Sequence, residues 1–168
     1  MRALGALLAT YAALLLTACT GLAPIGAPAG DPSASAPPVV RDVLAAGEPS
    51  AAPARNLELV RYTIQPGTAL AAHRHPGMQL ALIESGTLTY TVIEGEVTVH
   101  QVDGRTRSIG PGDTGTIAPG EWIVEHEGIV HFGANKGSDP VVILASSLLE
   151  SDEPPAIAMP TPGTSPSP

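Results

Sequence analysis

The stretch GTALAAHRHPGMQLALIESG, Gly67 to Gly86, sets two histidines one residue apart, a glutamine four residues later, and a glycine at each end. Side chains alternate across an extended chain, so on a strand His73 and His75 project from one face while Arg74 points to the other. Two imidazoles from a single strand can then meet one ion. Pro76-Gly77 predicts a turn after which the chain returns antiparallel and brings Gln79 to the same pocket. The continuous apolar run from Met78 to Ile83 predicts a buried strand.

Working outward, Leu57 to Ile64 alternates imperfectly, Thr87 to Ile93 and Val97 to Val102 are rich in β-branched residues, and Val141 to Leu149 is another apolar run. Asp103-Gly104 is a pair that favours a tight hairpin, and Gly110-Pro111-Gly112-Asp113 marks a further reversal. No window apart from the N-terminal segment sustains a helical period. Many short strands without intervening helices imply an all-β sandwich or barrel, placed over residues 56–150. Residues 20–55 are rich in Ala, Pro and Ser and predict a disordered linker; residues 151–168 predict a Pro-rich disordered tail. Two short segments stand out in these flanks. Val39 to Leu44 has the apolar content for an edge strand or short helix on the domain, and Ala156 to Met159 for contact with the core.

The chain carries sixteen acidic and eight basic residues, a net charge of −8, which argues against gripping nucleic acid or an anionic membrane through basic patches. Its one cysteine, Cys19, cannot form an internal disulfide. Residues 1–19 have the layout of a signal peptide: Arg2, an apolar stretch from Ala3 to Leu16, then Leu16-Thr17-Ala18-Cys19. The small residues before Cys19 resemble the lipobox of bacterial lipoproteins, which implies lipidation at Cys19 and an exported protein held at the outer face of a bacterial membrane by its anchor alone. A plain secretory signal cut nearby is the alternative.

A further metal ligand must come from elsewhere, and His131 in the stretch Gly128 to Asn135 is the candidate. The spacing Gly67, five residues, His73, one, His75, three, Gln79, six, Gly86 resembles the first motif of the cupin superfamily, with Gln where that family most often has Glu. His131, three residues, Asn135 resembles the end of its second motif, and Gly112-Asp113 the start. The resemblance implies a small jelly-roll β-barrel with a metal pocket built from His73, His75, Gln79 and His131, and it suggests a homodimer. Pro119-Gly120 lies farther before His131 than in the usual motif, so His126 stands as a rival or supporting group.

Three imidazoles suit one divalent transition metal: Zn, Ni, Fe, Mn or Cu. A neutral Gln79 would leave the ion's charge uncompensated and the site more Lewis acidic, which fits an isomerase, lyase or hydrolase better than a dioxygenase. The alternative is a non-catalytic module that captures a small ligand or metal at the cell surface. No general acid or base stands out. Glu84 and Glu94 read as solvated turn charges, His100 as an outer-face residue, Trp122, Tyr90 and Tyr62 as packing, and Asn135 as a loop-orienting group. Leu80, Leu82, Ile117 and Ile143 are expected to line a pocket for a small, partly apolar molecule.

Overall fold

The computed structural model describes residues 37–160. The expected signal segment with Cys19, the first part of the linker and the end of the tail lie outside them. Among the described residues every regular element is a strand: β1 (Val39–Gly47), β2 (Arg55–Ile64), β3 (His73–Arg74), β4 (Gly77–Ser85), β5 (Leu88–Glu94), β6 (Val97–His100), β7 (Thr106–Ile109), β8 (Thr114–Ile117), β9 (Trp122–Glu125), β10 (Val130–Ala134), β11 (Val141–Glu150) and β12 (Ile157–Ala158). They form a seven-stranded sheet ordered β1-β2-β11-β4-β9-β6-β7 and a five-stranded sheet ordered β12-β3-β10-β5-β8, both antiparallel.

The core lies between the sheets. Ile64, Ile83, Val92, Val99, Ile117 and Ile123 are each at most 1 % exposed, and each such side chain contributes about 1.5–3 kcal/mol by leaving water. Strand β4 shows how period two sorts its residues. Gln79, Ala81 and Ile83 are buried while Met78 and Leu80 are exposed. The expectation that Leu80 and Leu82 line the pocket is therefore corrected, because a strand that turns Gln79 inward must turn both leucines outward.

The turns are corrected too. β3 and β4 do not pair; the chain crosses from the five-stranded to the seven-stranded sheet at Pro76-Gly77, and Gln79 approaches His75 from the seven-stranded sheet. Gly86 likewise marks a crossing between sheets, from β4 to β5, and its φ of +72° is one a side chain rarely tolerates. The Asp103-Gly104 hairpin between β6 and β7 forms as expected.

The domain is longer than residues 56–150. β1 falls in the expected linker yet pairs with β2 from Val39↔Ile64 to Gly47↔Leu57, so the edge-strand alternative for Val39 to Leu44 is the one realised. β12 falls in the expected tail and pairs with β3 through Ile157↔Arg74 and Ala158↔His73. The Ala-, Pro- and Ser-rich residues around both segments hide how far the pairing runs, and sheet edges with free backbone groups recruit them.

Candidate metal centre

His73 and His131 are cross-strand partners on β3 and β10, at the inner face of the five-stranded sheet. His75 follows β3 directly. One ligand atom from each of the three rings lies within 4.8 Å of the others. Facing them, the seven-stranded sheet presents one polar row across three strands: Ser147 on β11 opposes Gln79 on β4, and Gln79 opposes Glu125 on β9. Ser147 Oγ donates to Gln79 Oε1 at 2.8 Å, and Gln79 Nε2 donates to Glu125 Oε2 at 2.9 Å.

Second contacts fix the rings. His73 Nδ1 lies 2.8 Å from the Ala71 carbonyl and His75 Nδ1 lies 2.6 Å from the Pro155 carbonyl, so each Nδ1 is the protonated nitrogen and each Nε2 is left with a lone pair. Pro155 belongs to the segment leading into β12, which gives that strand a part in the site. His131 Nε2 sits 3.1 Å from Glu125 Oε1, and its buried Nδ1 has no hydrogen-bond partner. Tyr90 stacks on the His131 ring, with centroids 4.9 Å apart and 19° between planes, and its hydroxyl donates to Glu125 Oε1 at 2.9 Å.

Glu125 is the functional residue that sequence reading missed. It is 4 % exposed and belongs to no motif spacing read from the sequence. The available signal was parity: Ile123 and Glu125 share a strand face, so a buried Ile123 places Glu125 inside. Its burial alone would push its pKa up, but the His131 and His75 rings and the Tyr90 hydroxyl hold it far below the usual carboxylate range. Burial pushes His131 down to about 4 and lowers His73, while for His75 the contacts with Glu125 outweigh burial and raise it. Tyr90 is raised by burial and by the adjacent Glu125 charge.

The other candidates fall as follows. Gln79 is in the cluster: its Oε1 accepts from Ser147 Oγ, and its NH2 group faces the Glu125 carboxylate at 2.9 Å and His75 Nε2 at 3.2 Å. His126 is exposed and outside the site. His100 lies on the outer face as expected, where Trp122 packs on it with ring centroids 3.6 Å apart, so the packing of Trp122 is on the outer face and not in the core or at the pocket rim. Tyr62 borders the cavity, and its hydroxyl accepts from Arg41 Nε at 3.2 Å. Glu84 is tied to Arg61 at 2.8 Å instead of standing free in solvent. Asn135 orients its loop: Nδ2 donates to the carbonyls of Ile64 and Asp139, and Oδ1 accepts from the Gly137 amide.

The three histidines and Glu125 form part of the wall of a cavity of about 340 Å³. The rest is mainly apolar, with Ile83, Leu88, Ile117 and Ile143 among its residues. Three converging imidazoles, two of them with Nδ1 held by a backbone carbonyl, beside a buried carboxylate are a donor set suited to a divalent transition metal.

No protein-family model and no curated protein matches the chain. Solved structures do. A cupin domain from Bordetella pertussis is 16 % identical over 68 % of this chain and 97 % of that one, with a TM-score of 0.42. A cupin 2 conserved barrel domain protein from Leptotrichia buccalis is 20 % identical over 66 % of this chain and 40 % of that one, TM-score 0.43. A Bacillus subtilis oxalate decarboxylase variant is 20 % identical over 61 % of this chain, TM-score 0.40, and the match spans only 24 % of its length. Residues 37–160 thus form an all-β, two-sheet barrel with cupin domain proteins among its structural neighbours and a three-histidine group inside it.

Proposed function

We propose that the barrel holds one divalent transition metal through His73, His75 and His131 and works as a Lewis-acid enzyme on a small, partly apolar organic molecule. The observation that carries this reading is the convergence of three histidine ligand atoms within 4.8 Å at the wall of an otherwise apolar cavity. When bound, the ion would polarise a substrate oxygen or lower the pKa of a coordinated water. The Ala71 and Pro155 carbonyls hold two rings in the ligating tautomer, the Tyr90 ring backs the third, and the apolar walls exclude bulk water.

One observation favours the second reading, capture of a ligand without turnover. Glu125, Gln79, Tyr90 and Ser147 are hydrogen-bonded to one another, so no proton-transferring side chain in the cluster is free of a partner. The test is elemental analysis of the full chain, purified without chelator or added histidine tag. About one equivalent of a single transition metal, lost in His73→Ala/His75→Ala, is the expected outcome. A folded protein without metal would overturn the reading.

Export, lipid attachment through Cys19 and self-association belong to the same proposal. A homodimer is supported by the apolar outer face of the seven-stranded sheet. There Leu57, Leu148 and Met78 form one cross-strand row and Leu59, Ser146 and Leu80 the next, with Leu57 and Met78 47 % and 44 % exposed. Sedimentation of the wild type as a dimer and of Leu80→Glu as a monomer would bear this out. Transfer of the protein from the membrane to the soluble fraction on Cys19→Ser is the corresponding check for the anchor.

A further inference from the structure

We infer that Glu125 supplies the anionic fourth ligand of the metal centre, in place of Gln79, and that Gln79 and Tyr90 are positioning residues that aim its carboxylate. This rests on the metal-binding reading above.

The register supplies the first ground. Gln79 and Glu125 oppose each other across β4 and β9 with both side chains inside the barrel, so a carboxylate on β9 reaches the space that a carboxylate at position 79 would fill. Distance supplies the second. Glu125 Oε2 is 3.3 Å from His75 Nε2, and Oε1 is 3.1 Å from His131 Nε2. Ligands at about 2.0–2.2 Å from a tetrahedral ion stand roughly 3.3–3.6 Å from one another. The carboxylate is therefore already close to ligand-to-ligand spacing from two of the rings.

The third ground is charge. His75 Nδ1 is committed to the Pro155 carbonyl, so a neutral His75 turns a lone pair toward Glu125 Oε2. The Gln79 NH2 group lies against both atoms, 3.2 Å from His75 Nε2 and 2.9 Å from Glu125 Oε2, and a cation bound to both would take over that shared contact. The only ion-pair partners of Glu125 among the described residues are His75 and His131, with no Lys or Arg in reach. An anion so buried costs several kcal/mol unless a cation compensates it. Each of its oxygens accepts one fixed donor, Tyr90 Oη on Oε1 and Gln79 Nε2 on Oε2, and keeps lone-pair capacity toward the rings. The ligand set so formed carries one negative charge, where the three histidines with glutamine would carry none.

The test titrates Co²⁺ into metal-free full-chain protein and compares wild type, Glu125→Gln, Gln79→Ala and His73→Ala/His131→Ala, with circular dichroism as the check on folding. Loss of an outer partner weakens a site by about 10–100-fold. Glu125→Gln is expected to raise the Co²⁺ dissociation constant by more than about 100-fold and to change the visible Co²⁺ bands, with Gln79→Ala inside the outer-partner range. The double variant Gln79→Glu/Glu125→Gln, with the carboxylate returned to the facing strand, is expected to recover most of the affinity. Should Glu125→Gln not fold, the infrared difference spectrum of wild type on Zn²⁺ loading decides: a shifted carboxylate stretch supports coordination, and an unchanged carboxylate region overturns it. A Glu125→Gln protein within about 100-fold of wild type, while His73→Ala/His131→Ala binds nothing, also overturns the inference and leaves the histidine centre standing. Absence of binding in wild type would sink the metal reading itself.

Discussion

At the scale of single residues, the buried Glu125 carboxylate accepts from Gln79 and Tyr90, and Tyr90 isolates the worth of one such bond. Tyr90→Phe keeps the ring against His131 and removes only the hydroxyl that donates to Glu125. A hydrogen bond to a charged, buried acceptor contributes about 1.5–3 kcal/mol. The metal-free variant should therefore unfold at lower urea with an unchanged slope, by about 2 kcal/mol in the fitted stability. An unchanged midpoint would mean that the Glu125 oxygen finds a replacement donor. The histidines were legible in the sequence because His73, His75 and His131 sit at motif spacing. Glu125 was not, because its chemistry depends on β9 packing against β4, a pairing between residues 79 and 125 that no local pattern announces.

At the scale of elements, the crossings between sheets carry the constraints. Gly77 begins β4 with φ +143°, and a Cβ there would collide with the Leu148 carbonyl oxygen on β11. Gly77→Ala must shift β4 against β11, and with it Gln79 against His75. A cost above about 3 kcal/mol and a melting temperature lower by about 10 °C or more are expected; a scanning-calorimetry trace within a few degrees of wild type would refute the clash. The crossing from β8 to β9 depends on Glu121, whose carboxylate accepts from the Ala118 amide at 2.9 Å and from Arg107 at 2.8 Å. Burial opposes its ionisation, but these donors win and its pKa is lowered. The stability it contributes is therefore present above about pH 4.5, its ordinary value, and is lost as the pH falls through the lower folded-state value. Glu121→Gln should cost about 1 kcal/mol near pH 7 and progressively less as the pH falls below about 4.5, compared with wild type at the same pH in urea titrations. A difference that persists at low pH would assign the loss to shape and not to charge. Turn signals located these crossings in the sequence but could not distinguish them from hairpins, since both need the same glycines.

At the scale of the whole molecule, the two segments read from composition as linker and tail complete the barrel, and the second reaches the metal centre. Residues 154–160 run along β3: the Pro155 carbonyl accepts from His75, β12 pairs with β3 at Arg74 and His73, and the Met159 amide donates to the Ala72 carbonyl. Ala156 and Ala158 also border the cavity. β12 adds only two residues of pairing at a sheet edge, so a chain ending at Glu153 should still fold, with a melting temperature within a few degrees of wild type. His75 would lose the acceptor that fixes its tautomer, and its Nδ1 would compete with Nε2 for the proton. Zn²⁺ affinity, measured by competition with a chromophoric chelator, should fall by about 10–100-fold, the usual effect of removing an outer partner. The free edge of β3 would also stand open, so faster amide exchange at Arg74, the residue paired with Ile157, should accompany the loss. Unchanged affinity with faster exchange would make this segment a cover for the cavity and leave the orientation of His75 to the sheet alone.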